Sequence, residues 1–312
     1  MWGQAVTELC GPKGGKHTFP VESACRLLGH SRQAYYQFKQ DWKKERDVEV
    51  EIVKNVKHLR EEDPGIGAYK LFLILSLIMV GIKLPGRDKF YNIMRRNRLM
   101  LPPERTRHTT KSNHRYHKYK NLIKGMELIS PNSLWVSDIT YIETNEGVCY
   151  LHLVTDAYSH KIVGWCLSNS LKAIHSIEAL QMAIEQCPKA SLSNLIHHSD
   201  RGVQYCCDAY VNILNEHGIK ISMCEDYKPT DNAIAERING IIKEEKVYRI
   251  PRFENQEEAD AVLSRFIEFY NARRPHSSIG FQTPNYVHEN CAGELKRCWK
   301  NYYKNSYTRQ GL

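Results

Sequence analysis

The spacing of apolar and polar positions divides the chain into a helical front half and a rear half in which strands and helices alternate. Val21-Glu-Ser-Ala-Cys-Arg-Leu-Leu28 has helical period and meets Gly29, which can supply a turn. Ser31 can then cap a second helix carrying Arg32, Gln33, Tyr35 and Tyr36, a helix-turn-helix layout. Residues 1–18, rich in Gly and Lys, read as loose. Over residues 42–62, Val48, Ile52, Val56 and Leu59 share one side of a long charged helix, which Asp63-Pro64-Gly65 breaks. Helices are predicted at 67–80 and 87–100, a second helical unit. The most apolar run, 71–84, contains Ser76, Gly81 and Lys83. It falls short of the roughly 20 residues a membrane span needs, so it predicts a buried helix with its exit and no membrane.

In the rear half, the pattern predicts strands at 134–142, 148–155 and 161–168, then helix 174–187, strand 193–198, helix 206–217, strand 219–223 and helix 230–247. Three strands on short connections followed by alternation make a mixed sheet with helices, an α/β fold. The last helix bears most of the chemistry. Pro229 blocks helix before it, and Thr230, Asp231 and Asn232 are good N-cap types. Ile234, Ile238, Ile241 and Ile242 form its apolar side, while Glu236 and Lys243, two turns apart, point the same way.

Two upstream acids give that helix its significance. Asp138 stands among strand formers in Leu134-Trp-Val-Ser-Asp-Ile-Thr-Tyr141, where a carboxylate is costly unless paired or bound to metal. Asp200 ends a short strand before Gly202, the place where α/β sites form. Three hard oxygen donors of this kind suit Mg²⁺ or Mn²⁺.

Charge adds a polyanion partner. The formal net charge is +9, but residues 1–125 hold 25 Lys/Arg against 12 Asp/Glu, and the remainder 19 against 23. A basic front half joined to a domain with clustered carboxylates points to DNA. Arg32 and Gln33 are candidates for base edges and Tyr35 for phosphates. Arg95, Arg96 and Arg98 cluster near the end of the helix at 87–100, as candidate phosphate contacts. Arg115, Lys118 and Lys120 lie in a segment without acids from Arg105 to Lys124, expected to be a basic linker that tracks a strand. Ten cysteines without a Cys-x-x-Cys pair give neither a zinc nor a disulfide frame, so a reducing cytosol is expected.

Four motifs together resemble one family. They are Trp135-Val-Ser-Asp-Ile-Thr-Tyr141, His198-Ser-Asp-Arg-Gly202, Asp231-Asn-Ala-x-x-Glu236 followed by Lys243, and Tyr270-Asn-x-Arg-x-Pro-His-Ser-Ser278 with Thr283-Pro284. The chain resembles a DDE transposase of the insertion-sequence-three family over residues 20–290. Its Asp200-to-Glu236 spacing of 36 positions and the basic residue seven after the Glu are those of the family. The resemblance implies a ribonuclease-H-like mixed-sheet catalytic core (131–290), preceded by all-α helix-turn-helix DNA-binding units (1–45 and 46–104) and the basic linker (105–130). A basic, aromatic tail (291–312) follows. It further implies that Asp138, Asp200 and Glu236 are the catalytic triad holding two Mg²⁺ (or Mn²⁺) ions, and that Lys243 contacts end DNA. The implied partners are the element's terminal inverted repeats, target DNA and further copies of the chain. The front half lacks the sustained heptad run of complete family transposases. The expected alternatives are a downstream-frame protein with an upstream-frame partner, and a variant without the zipper. The resemblance also implies a bacterial, cytoplasmic, nucleoid-associated protein. Arg274, Pro275 and His276 are expected to shape the site. The competing expectations are a DNA-binding regulator with an inactive core, and a nuclease on the same fold.

Overall fold

In the computed structural model of the chain, residues 2–11, 19–101, 116–225 and 232–293 are described, together with the backbone at 297–298. The chain forms two compact units, Met1–His58 with Leu75–Met100, and Leu59–Ile74 with Leu101–Leu312.

The first unit is helical: α1 (Trp2–Cys10), α2 (Val21–Leu27), most of α3 (Arg32–Glu62), the end of α4 (Ala68–Ile78) and α5 (Arg87–Arg96). The looseness expected of the first residues does not hold for 2–10. Their helix buries Val6 against Ala24, Cys25 and Tyr35, and Trp2 stacks on His30 at 3.8 Å between ring centroids. Gly29 takes the left-handed φ of 73° that the turn requires, and Ser31 Oγ accepts the Ala34 amide at 3.1 Å. The two helices expected from Ser31 to Glu62 are a single one, because no Pro or Gly interrupts residues 32–62. α4 stops at Ile78, and the end of its apolar run is not buried: Leu77 and Val80 are 76% and 89% exposed. In α5, Phe90, Ile93 and Met94 are buried at helical spacing, and Arg96 and Asn97 bind Glu49 of α3.

The second unit is built on a five-stranded sheet. Its elements are β1 (Glu127–Leu128), β2 (Leu134–Thr144), β3 (Gly147–Asp156), β4 (Ile162–Ser168), α6 (Ala173–Gln186), α7 (Lys189–Leu192), β5 (Ile196–Ser199), α8 (Val203–Cys206), α9 (Asp208–Glu216), β6 (Lys220–Met223), α10 (Ala233–Ile241), α11 (Gln256–Ala272), α12 (Pro284–Asn290) and β7 (Arg297–Cys298). The strand order is β4-β3-β2-β5-β6; β2–β3–β4 are antiparallel, and β5 and β6 run parallel to β2. Strand alternation sends Trp135 and Val154 to a core with Leu180 of α6 and Tyr210 of α9. The opposite face sends Ile142, Leu151 and Leu153 to a core with Ile238 of α10 and Phe266 and Tyr270 of α11. β2, the central strand, is buried on both faces, which explains its apolar sequence.

Three expectations change here. The helix expected at 206–217 is broken at Cys207, whose extended backbone (ψ 148°) separates α8 from α9. The helix expected at 230–247 is α-helical only to Ile241. A π turn, Ile242–Lys246, and a 3₁₀ turn, Val247–Arg249, follow. Thr230 and Asp231 lie outside the described residues. The linker expected to run to residue 130 is anchored before that: Ile123 and Leu128 are buried, and the Leu122 amide donates to Ser222 Oγ at 2.9 Å.

The π turn aims two charged side chains inward. Glu245 accepts Arg274 in a two-pronged pair, Nε–Oε2 2.6 Å and Nη2–Oε1 2.7 Å, and Lys70 Nζ at 2.8 Å. Lys246 Nζ donates to the Glu61 and Glu62 carbonyls at 3.1 and 2.7 Å, satisfying orphan groups at the end of α3. Gly65 closes the contact: its amide donates to the Glu245 carbonyl at 2.6 Å, and a Cβ there would lie 2.1 Å from Glu245 Cα. Burial alone would raise the Glu245 carboxyl, but Arg274 and Lys70 hold it at about 2. Asp63 beside them is pushed well above the carboxylate range by burial and by the Glu245 charge. The last turn of α11 and the residues just after it thus have structural work. Asn271 brackets both backbone groups of Ile162 at 2.9 Å, and Tyr270 donates to the His160 carbonyl at 3.0 Å.

Removing one member of a buried pair leaves the other uncompensated, at a cost of about 3–5 kcal/mol. Arg274→Met should therefore destabilise the protein by about that amount in denaturant unfolding. The double variant Glu245→Met/Arg274→Met should recover a large part of the loss; additive losses would show that the pair is not coupled.

Candidate active site

β2 and β5 bring the first two acids together by register. Ser137 pairs with Ser199 in the parallel ladder, so the next residues, Asp138 and Asp200, lie side by side across strands about 4.8 Å apart. Two residues before them, Val136 pairs with His198, which places both acids on the face that α10 covers. Asp200 Oδ1 accepts the Gly202 amide at 2.9 Å, which fixes the carboxyl at the turn. The Ile139 amide donates to Asp138 Oδ1 at 2.9 Å.

α10 is tied to this strand by two asparagines that bracket Glu236. Asn232 Nδ2 donates to the Ser137 carbonyl at 3.0 Å, and Asn239 Nδ2 to Asp138 Oδ2 at 2.8 Å. Asn232 thus spends its side chain on β2 and makes no side-chain cap to α10. Glu236, exposed, lies between them on the helix. Behind Asp138, on the other face of the sheet, His197 Nε2 contacts Ser137 Oγ and Tyr210 OH at 2.8 and 2.9 Å; burial lowers this imidazole to about 3, so it is neutral.

The electrostatics are those of crowded acids. Burial, then the Asp200 charge and more weakly Glu236, push the Asp138 carboxyl up to about 7 against the hydrogen bonds from Ile139 and Asn239. Burial raises Glu236 as well. Lys243, in the first turn of the π segment, sits with Nζ 3.7 Å from the Tyr141 ring centroid. Burial lowers its ammonium pKa, while Asp138 and Glu143 act in the other direction. Asn232, Asn239 and Tyr141 were not read from sequence as part of this site. Asn239 stands three residues after Glu236, a helical-face spacing that could have revealed it.

The expected DNA contacts are spread over both units. Arg32 and Gln33 are exposed at the start of α3, and Arg95 and Arg98 are exposed in and just after α5. Arg96 is engaged by Glu49 at 2.5 Å. Tyr35 does not face a phosphate: it is 3% exposed, with its hydroxyl 3.2 Å from Thr7 Oγ1, because the α1–α2–α3 core needs its ring. Lys118 and Lys120 are exposed, and Arg115 lies outside the described residues.

Residues 130–229 match the model of the integrase core domain, and residues 217–284 match a second model of that name. The chain is 35% identical over 268 residues to the insertion element IS600 uncharacterized 31 kDa protein of Shigella sonnei, covering 83% of this chain and 95% of that protein. It is 34% identical over 158 residues to a putative transposase for insertion sequence element IS986/IS6110 of Mycobacterium tuberculosis, covering 50% of this chain and 57% of that protein. It is 36% identical over 155 residues to transposase InsF for insertion sequence IS3A of Escherichia coli, covering 49% and 53%. The chain thus spans about half the length of these two transposases. Among solved structures, the HTLV-2 integrase catalytic core in complex with magnesium, in its dimeric form, superposes with a TM-score of 0.39 at 20% identity, covering 51% of this chain and 98% of that one. A simian T-cell lymphotropic virus intasome bound to a PP2A regulatory subunit gives 0.44 at 20%, covering 75% and 74%.

The crowding at Asp138 predicts a pH-dependent stability. A carboxyl raised to about 7 favours the protonated acid in the fold. Its contribution is complete below about pH 4 and lost as pH climbs through about 7. In divalent-free buffer the melting temperature should fall across that window, and Asp138→Asn should flatten the fall. An equal fall in both proteins would remove Asp138 as its source.

Proposed function

We propose that this chain, which belongs to the insertion-sequence-three family of DDE transposases, cuts DNA at the ends of its element and joins the freed 3′-hydroxyl to target DNA, using Asp138, Asp200 and Glu236. The observation that carries this is the parallel β2–β5 register, which ends at Ser137 and Ser199 and leaves Asp138 and Asp200 as the next residues of each segment, with Glu236 on a helix bonded to β2 through Asn232 and Asn239.

The family is metal-dependent, and the donors present fit a divalent cation. They are hard oxygens, and the burial and, after it, the Asp200 charge that raise Asp138 are costs that a cation would relieve. Asp138, Asp200 and Glu236 would hold the metal, and two ions suit the two displacements at phosphorus. Such ions supply an activated oxygen nucleophile and neutralise charge on the phosphoryl and leaving oxygens.

In the first displacement, water attacks a phosphodiester at the element's end, one P–O bond forms and another breaks, and a 3′-hydroxyl is released. In the second, that hydroxyl attacks a phosphodiester of the target and the 3′-oxygen there departs. The protein's own contribution is positional. Asn239 and the Ile139 amide orient Asp138, and the Gly202 amide orients Asp200. Lys243, in the π turn that continues α10 beyond Glu236, contacts the DNA backbone near the cut bond, moving off the Tyr141 ring to do so. Arg32, Gln33, Arg95, Arg98, Lys118 and Lys120 supply further contacts to phosphates and bases. Two copies engaged on paired ends, and an upstream-frame partner, belong to the same proposal. No helix among the described residues is long and apolar enough to cross a membrane. A regulator with an inactive core is disfavoured by the complete carboxylate set.

In Mg²⁺, with duplexes carrying the element's end sequence, Asp138→Asn, Asp200→Asn and Glu236→Gln should each lower nicking and strand transfer by at least about 100-fold, in the range of lost electrostatic stabilisation. Duplex binding in a mobility-shift assay should be nearly unchanged. Lys243→Ala should keep the fold yet lose the preference for a matched over a scrambled end. Near-wild-type nicking by any carboxylate variant would remove that residue from the site.

A further inference from the structure

A second cluster of metal-ligating side chains lies on the other face of the sheet from the carboxylates, and the function above makes no use of it. Cys166 of β4 and His175 and Glu178 of α6 point one ligand atom each at a common centre, all within 4.8 Å of one another. Glu178 Oε2 is 3.0 Å from Cys166 Sγ and 3.1 Å from His175 Nδ1, and Sγ and Nδ1 are 4.0 Å apart. Tetrahedral zinc with bonds of about 2.0–2.3 Å sets its ligand atoms about 3.3–3.7 Å from one another, between these values.

The cluster is built by the packing of α6 on the sheet. Gly164, two residues before Cys166 in β4, has no Cβ because the α6 backbone occupies its place: a Cβ would lie 2.0 Å from the Ala179 carbonyl. That close approach lowers His175 and Glu178, one helical turn apart, onto the sheet. His152, directly opposite Cys166 in the β3–β4 ladder, bonds Ser176 Oγ at 2.8 Å and fixes the start of α6. Its ring lies 6.0 Å from His175.

We propose that Cys166, His175 and Glu178 form a zinc site that clasps α6 to β4, with water in the fourth position. Thiolate, imidazole and carboxylate together favour Zn²⁺ over the Mg²⁺ that the all-oxygen site selects. In the metal-free protein, burial and Glu178 push the Cys166 thiol up to about 12, so it is protonated and donates to Glu178. Zinc replaces that proton: one Zn–S bond forms, one S–H bond breaks, and one proton goes to solvent. A nucleophile–base relay is excluded by the geometry. A relay histidine offers one ring nitrogen to the nucleophile and the other to the acid, whereas here Nδ1 faces both.

The test uses the full-length reduced protein carrying Asp200→Asn, so that the carboxylate site is impaired. Cobalt titration should give a sulfur-to-metal charge-transfer band at one equivalent, reversed by Zn²⁺ and unaffected by millimolar Mg²⁺. Zinc should raise the melting temperature and release a proton. Cys166→Ser should abolish the band, and Glu178→Gln should weaken zinc binding by at least about 10–100-fold, the loss seen even for groups that only orient a ligand. Absence of the band, or its persistence in Cys166→Ser, would overturn the site and leave a hydrogen-bonded cluster. Neither result bears on strand transfer, which the Asp200 variant already lacks.

Discussion

Repulsion between carboxylates is the constraint around which the second unit is organised. Asp138 and Asp200 are placed side by side by strand register, and burial makes their proximity more costly, as the elevation of Asp138 to about 7 records. The local amide bonds from Ile139 and Gly202 offset that cost only in part. The arrangement persists because β2 is buried on both faces, because β5 is locked parallel to it, and because Asn232 and Asn239 bond α10 to the strand on either side of Glu236. On the proposed reading a divalent cation would relieve that cost, and the stability given up by the metal-free protein would become affinity for metal.

The far end of the same helix is governed by a second buried set of charges. Where α10 passes into the π turn, Lys243 stays against Tyr141 of β2 while Glu245 and Lys246 turn to Arg274 and to the end of α3. An extra residue in a helical turn re-aims the side chains that follow it, and π turns concentrate where function needs such an offset. The ion pair thus sets where Lys243 stands relative to Glu236. Arg274, expected to shape the site, is held in a two-pronged pair with Glu245 of the π turn.

What the sequence disclosed was what rests on short-range pattern. The strand around Asp138 and the helix after Pro229 follow from alternation and period, and the four motifs, read together, identified the family. The hidden parts depend on contacts distant in sequence. The single 31-residue α3 was read as two helices because its amphipathic pattern is weak near Trp42, although no breaker stands there. The helix of residues 2–10 forms because Val6 and Trp2 find partners in α2 and α3, which no local signal shows. Tyr35 looked like a phosphate ligand by residue type, yet its ring is needed in that small core. The π turn was not legible because the partner of its Glu245 is Arg274, 29 residues away. The Cys166, His175 and Glu178 cluster has no spacing of a common zinc frame, since a strand and a helix assemble it.

The central claim is that the fold assembles Asp138, Asp200 and Glu236 into one metal-binding centre. The most direct measurement is anomalous scattering from Mn²⁺ soaked into crystals of the protein. Manganese density contacting Asp138 and Asp200, with Glu236 in reach, and lost in the Asp138→Asn protein, is the predicted result. Manganese ordered elsewhere, or density that persists without Asp138, would contradict it.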